Sequence, residues 1–165
     1  MITTTKYNQT TISKKVSLDG VGLHTGKDVT LTFHPSDSNT GYVFKRIDLE
    51  GEPIVEADIN YVTNTERGTC LNKNNVVIQT CEHVLASLVG LQIDNALIEL
   101  NASEPPIMDG SSKYFVEALE KAGIKQLNDK RKEFIVKNVI SFKDEDSGSE
   151  ITVIPSKEYQ IRTMV

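Results

Sequence analysis

The chain has 165 residues, 38% of them hydrophobic, 25% charged and 6% aromatic, with a formal net charge of -5. That length carries one ordinary globular domain with a real core, or one domain with part of another attached. Acidic residues dilute the pair Lys14-Lys15 and the run Lys130-Arg131-Lys132, which leaves no dense basic stripe to hold a phosphate backbone and excludes nucleic acid as the expected partner. The opening residues lack the apolar core of a signal peptide, and no run approaches the length of a membrane span. Two cysteines, Cys70 and Cys81, make no disulfide framework, so a reducing cytoplasm is the expected location.

Taken in order, the first half of the chain predicts short strands over Thr10–Ser17, Asp28–His34, Gly41–Ile47, Ile54–Val62, Gly68–Leu71 and Val76–Gln79. Each is alternating or β-branched, and Gly, Asn, Asp or Pro punctuates the gaps. Together they read as an antiparallel meander. A helix follows over Cys81–Val89, with Thr80 as N-cap, Gly90 as the stop, and Cys81, Val84, Leu85 and Leu88 on one face. After "PIMDGSS", a second helix over Ser112–Ala122 presents Phe115, Val116, Leu119 and Ala122 to the core and ends at Gly123. In that stretch Asp109-Gly110 suits a turn, and Ser111 or Ser112 an N-cap.

The fold class expected is α+β, a mostly antiparallel sheet with two helices on one face. Residues 1–128 form this first domain. Beyond "LNDKRKE" the strand pattern returns in "EFIVKNVISF" and "EITVIPSKEYQIRTMV", around the polar hairpin "KDEDSGSE", so residues 129–165 read as the opening strands of a second, similar domain. Tyr159, Ile161, Thr163 and Val165 alternate up to the last residue, which reads as a chain cut in mid-fold. No internal repeat or low-complexity segment alters this picture.

The first helix opens on Glu82 and His83. Consecutive helical residues point about 100° apart, so the two cannot chelate one ion as an i, i+4 pair does. At a first turn, however, side chains splay around the helix end, and a metal held by His83 could bring a water within reach of Glu82. The free N–H groups and positive dipole end there favour hydroxide and a developing oxyanion. That arrangement is a water-activating site. A glutamate that only complements the helix dipole, beside a surface histidine, is the alternative.

Four blocks extend the pattern: "GVGLHTGKDVTLTF" (20–33), "TGYVFKRIDL" (40–49), "TCEHVLASLVGLQIDNALIEL" (80–100) and "SEPPIMDGSSKYFVEAL" (103–119). In order and spacing they resemble the UDP-3-O-acyl-N-acetylglucosamine deacetylases, the zinc amidases that commit a sugar nucleotide to lipid A synthesis. The resemblance runs from about Thr10 onward and covers the family's first half. It implies that His83 binds zinc and Glu82 is the general base. It places His24 of "GVGLHTG" near the substrate, a loop histidine beside two turn-forming glycines being the alternative. It also sets the loop "NTERGTCL" at the border of the metal and its Thr69, like His24, at the substrate, Gly68 standing where some members carry a larger side chain.

A catalytic zinc takes three protein ligands and an open position. The family supplies the other two, a histidine and an aspartate spaced H-x-x-x-D, from a helix of its second domain. Here the only histidines are His24, His34 and His83; His24 and Asp28 have that spacing, but Gly26 and the following strand argue against a helix. The expected whole is therefore the N-terminal half of an amidohydrolase acting on UDP-3-O-(3-hydroxyacyl)-N-acetylglucosamine, inactive alone. Its full-length parent is either the single enzyme or the form fused to a 3-hydroxyacyl-carrier-protein dehydratase. Two other readings stay open. One is a non-catalytic binding module of the same fold; the other is a structural zinc or redox domain on Cys70 and Cys81, which would need four clustered soft ligands.

Overall fold

A computed structural model describes residues 2–164. In chain order it has strands β1 (Ile2–Ile12), β2 (Val16–Val21), β3 (Asp28–Pro35), β4 (Tyr42–Arg46) and β5 (Ile54–Glu56), a 3-10 turn at Ile59–Tyr61, and strands β6 (Val62–Asn64), β7 (Cys70–Lys73) and β8 (Val76–Ile78). Helix α1 (Glu82–Gly90), strand β9 (Ala96–Leu100), helix α2 (Lys113–Ala122) and strands β10 (Ile124–Phe134), β11 (Ile140–Lys143) and β12 (Glu150–Val153) follow. The chain forms two compact units, residues 8–129 and residues 1–7 with 130–165. The α+β class is observed as expected.

Within residues 8–129 the main sheet has the order β2-β3-β9-β4-β5, and β6-β7-β8 form a separate three-stranded sheet. The expected meander does not form. Strand β9, from late in the unit, lies between β3 and β4, antiparallel to the first and parallel to the second. Burial explains the insertion: Ala96, Ile98 and Leu100 are fully buried, and the centre of a sheet is where a short apolar strand removes most surface from water. The register sets Phe33 against Ile98 from one side and Phe44 against Ile98 from the other.

The helices cover the apolar side. Val84 and Leu88 of α1, and Phe115, Ala118, Leu119 and Ala122 of α2, are buried. Val116, expected in the core, is only half-buried, and Ala118 takes its place. The ring of Phe115 meets that of Phe33 edge-on at 6.4 Å and 85°, a favoured aromatic geometry. Polar groups pin the same core: the buried Asn95 amide donates to Gln9 Oε1 (3.0 Å), and its Oδ1 accepts from the Gly41 N–H (3.0 Å).

Several boundaries differ from the sequence expectation for local reasons. The strand expected over Thr10–Ser17 is broken: β1 ends at Ile12, Ser13 N–H donates to Gly123 O (2.8 Å), and β2 starts at Val16. The strand expected over Ile54–Val62 stops because the Asp58 carboxylate accepts from Asn60 N–H (2.8 Å) and nucleates the 3-10 turn. The strand pattern expected to return only beyond "LNDKRKE" already includes it, since β10 runs over Ile124–Phe134 and pairs with β1. Helix α1 includes Gly90, and neither Thr80 nor Ser112 makes a side-chain cap bond. Ser111 does better, its hydroxyl accepting from Lys113 N–H (3.2 Å) while Asp109 Oδ1 accepts from Ser111 N–H (3.0 Å).

Among residues 130–165, β11 and β12 form an antiparallel hairpin with Ile140 opposite Val153 and Phe142 opposite Ile151. Asp144 closes its turn, accepting from Asp146 N–H (3.1 Å) and Ser147 Oγ (2.7 Å), and Gly148 supplies the positive φ of 70°. Residues 155–164 carry no strand, and Val165, the end of the expected alternation, lies outside the described residues. Among the described residues no helix is long and apolar enough to cross a membrane.

The Phe33–Phe115 contact yields a stability prediction. Phe115→Ala should destabilise residues 8–129 by ~3–5 kcal/mol, the usual cost of emptying a buried aromatic site, read as a lowered urea midpoint with an unchanged slope.

Candidate active site

Helix α1 begins at Glu82, so its carboxylate and the His83 imidazole both stand in the first turn, where backbone N–H groups are unsatisfied and the dipole is positive. Both side chains are half-buried. Glu82 is held from outside the helix: Oε2 accepts the Thr69 N–H at 2.8 Å. Thr69 is fastened in turn, its carbonyl accepting from Cys81 N–H and Cys81 Sγ, each at 3.3 Å. The main chain of Thr69 thus faces α1. Beside it, Gly68 has φ of 151°, and a Cβ there would sit 3.3 Å from Glu82 Oε1, so the missing side chain keeps space next to the carboxylate. His83 is anchored by its carbonyl, which accepts the Ser112 hydroxyl at 2.9 Å. This bond explains why Ser112 does not cap α2.

The turn ahead of α1 is organised by a residue that the sequence reading passed over. Glu104 is 1% exposed. Its carboxylate accepts the N–H of His24 (3.1 and 3.0 Å to its two oxygens), the N–H of Thr25 (2.9 Å) and the hydroxyl of Thr80 (2.8 Å). Thr80 has φ of 50°, a left-handed conformation that is unfavourable for a β-branched residue. Its hydroxyl is engaged with Glu104 and not with the helix end, which is why the expected N-cap is absent. The signal that could have exposed Glu104 is an acid set between the buried Ala102 and the pair Pro105-Pro106.

His24 sits on this same carboxylate through its backbone, and its ring Nε2 lies 3.2 Å from Arg67 O. A carbonyl only accepts, so Nε2 carries the proton in this contact. Loop 22–25 and loop 67–69 are thereby joined, and His24, Thr69 and Glu82 belong to one network. The His24/Asp28 pair forms no helical ligand set: His24 is in a turn and Asp28 opens β3. His34 is elsewhere, on β3, with Nε2 2.7 Å from Glu99 Oε2 of β9.

Two ionisable groups of this network, Cys81 and Glu104, are displaced from their ordinary behaviour. Burial pushes the Cys81 thiol up to about 12, with the Glu82 charge adding to it, so this thiol stays protonated and unreactive. Burial also pushes the Glu104 carboxyl upward, but the hydrogen bonds from Thr25, Thr80 and His24 outweigh it and hold the group below its ordinary value of 4.5. Both cysteines are free. Among the described residues no three His, Cys, Asp or Glu side chains cluster closely enough to hold a metal ion.

The model of the family described as "LpxC: UDP-3-O-acyl N-acetylglycosamine deacetylase" matches residues 9–165. The chain belongs to this deacetylase family. It is 45% identical over 157 residues to a "Bifunctional enzyme LpxC/FabZ" of Bacteroides thetaiotaomicron, covering 95% of this chain and 34% of that protein. It is 41% identical over 158 residues to a protein of the same name from Chlorobaculum tepidum, covering 96% of this chain and 34% of that protein. Against a "UDP-3-O-acyl-N-acetylglucosamine deacetylase" of Geotalea uraniireducens it is 42% identical over 153 residues, covering 93% of this chain and 49% of that protein. The chain thus spans about a third to a half of these relatives, and every residue of the network above falls within the residues that the family model matches.

The depressed Glu104 value gives the sign of a pH effect. A carboxyl whose folded value lies below its unfolded one contributes stability above the unfolded value, near 4.5, and loses it as pH falls through the folded one. The stability advantage of the wild type over Glu104→Gln, taken from urea unfolding, should therefore be full at neutral pH and shrink as pH falls below the unfolded value of 4.5. An advantage independent of pH would show that folding leaves this carboxyl at its ordinary value, and one that grew as pH fell would show that Glu104 is uncharged in the fold.

Proposed function

We propose that the complete protein is a zinc-dependent deacetylase that removes the N-acetyl group of a UDP-linked, 3-O-acylated glucosamine in lipid A biosynthesis. Family membership supports the deacetylase class, and the relatives' names support the sugar substrate. The observation that carries the reading is local: a half-buried carboxylate, oriented by the Thr69 N–H at 2.8 Å, stands beside an imidazole at the start of a helix.

The donor set of this chain fits a share of a zinc site. His83 offers one imidazole, Glu82 is already engaged by a backbone donor, and no third ligand clusters with them among the described residues. A catalytic zinc needs three ligands, so the remaining ones are assigned to residues outside this chain. When bound, the metal would polarise the amide carbonyl and favour ionisation of the attacking water. Glu82 accepts the proton of that water through its carboxylate and returns it to the departing amine, giving acetate and a free amino sugar. The Thr69 N–H fixes one oxygen of Glu82, and the gap at Gly68 keeps the other approachable. The positive end of α1 favours negative charge developing nearby.

Two free cysteines and the absence of a membrane-crossing helix among the described residues support placement in the cytoplasm. Identities of 45% and 41% to two proteins named LpxC/FabZ support a parent fused to a dehydratase, and 42% to a single deacetylase supports the unfused enzyme equally. A non-catalytic module of this fold is the competing reading, and Glu82 separates the two.

In the complete enzyme, Glu82→Gln should lower turnover by ~10²–10⁴, the usual worth of general-base assistance, with bound zinc unchanged. His83→Ala should lose both zinc and turnover. Normal turnover of Glu82→Gln would remove Glu82 as the base and favour the reading of this chain as a non-catalytic module of the enzyme. The 165-residue chain alone should show no turnover and should lose zinc on dialysis, since it supplies one ligand; stoichiometric retention by metal analysis would reveal ligands within it.

A further inference from the structure

We propose that Glu104 is a positioning residue for this reaction: from beneath the site it sets the register between the His24 loop and the start of α1, and so aims the Glu82 carboxylate. The proposal rests on the reading of Glu82 as the base. Two arms leave Glu104 and both end at Glu82. The short arm runs through the Thr80 hydroxyl (2.8 Å) into a left-handed residue two positions before Glu82. The long arm runs through the N–H groups of His24 and Thr25 (2.9–3.1 Å), then from the His24 ring to Arg67 O (3.2 Å), and along 67–69 to the Thr69 N–H that holds Glu82 Oε2 (2.8 Å). The arms close a ring, so displacing Glu104 moves the carboxylate from both sides.

The loop is shaped for this approach. A Cβ on Gly22 would lie 2.6 Å from Glu104 Oε2, closer than real contacts allow. A charge this deeply buried is a poor device for stability alone, because a well-packed apolar side chain commonly does as well. What an apolar side chain cannot do is hold three donors from two segments at fixed positions, and a glutamine would turn an N–H₂ toward at least one of them.

The test uses the complete enzyme, with kcat and KM measured separately. Glu104→Gln should lower kcat by ~10²-fold, the scale of a catalytic group misplaced by about 1 Å, with KM little changed. In a Glu82→Gln background the same substitution should lower kcat no further, since the group it aims is gone. Thr80→Val, which deletes one donor at constant shape, should lower kcat, and Thr80→Ser should restore it. An equal penalty for Glu104→Gln in both backgrounds would mean general damage and overturn the proposal, as would an unaltered kcat. If Glu104→Gln fails to fold, the Thr80 pair decides: turnover of Thr80→Val equal to the wild type, or no rescue by Thr80→Ser, overturns it. Normal turnover of Glu82→Gln would remove the base and this proposal together, whereas loss there with a normal Glu104→Gln removes the positioning alone.

Discussion

A single buried carboxylate organises the candidate site. An ionised group without partners would be far too costly at the depth of Glu104, which is 1% exposed. It is tolerated because three donors converge on it, two from the 22–25 loop and one from the turn ahead of α1. The segment that carries it is equally constrained. Ile107 N–H donates to Val21 O at 2.9 Å, and a Cβ on Gly20 would come within 2.8 Å of Pro106 Cβ. Loop, turn and "SEPPI" segment therefore meet at closest approach, and α1 starts from a fixed point.

The sheet supplies the rigidity that this arrangement requires. Because β9 is clamped between β3 and β4, the segment leaving its end, from Asn101 to Glu104, emerges at a defined place. The same clamp joins α1 at one end of β9 to α2 beyond the other. Ser112 then ties the start of α2 to the His83 carbonyl. Core packing and site geometry are in this sense one structure: the buried faces of α1 and α2 orient the residues that the solvent side presents.

Residues 8–129 hold the Glu82 carboxylate, the His83 imidazole and the hydrogen-bond network around them, and no three His, Cys, Asp or Glu side chains cluster there among the described residues. The ring of hydrogen bonds from Glu104 to Glu82 is closed entirely by this chain's own residues.

The sequence by itself determined the fold class, most strands, both helices and the Glu82-His83 pair, since these depend on alternation, helical spacing and adjacency, which are local properties. It also carried the blocks that place the chain in its family. Topology was decided only in three dimensions. A meander was the simplest order for strands close in sequence, but the buried face of β9 is satisfied only at the centre of the sheet, and no local signal marks that. Thr80 shows the same competition on a smaller scale. As a threonine before an apolar helix it reads as a cap, yet its hydroxyl goes to a carboxylate 24 residues away. The other donors to Glu104 come from about 80 residues away. Partners that distant leave no periodicity or spacing in the chain, so only the folded structure could bring them together.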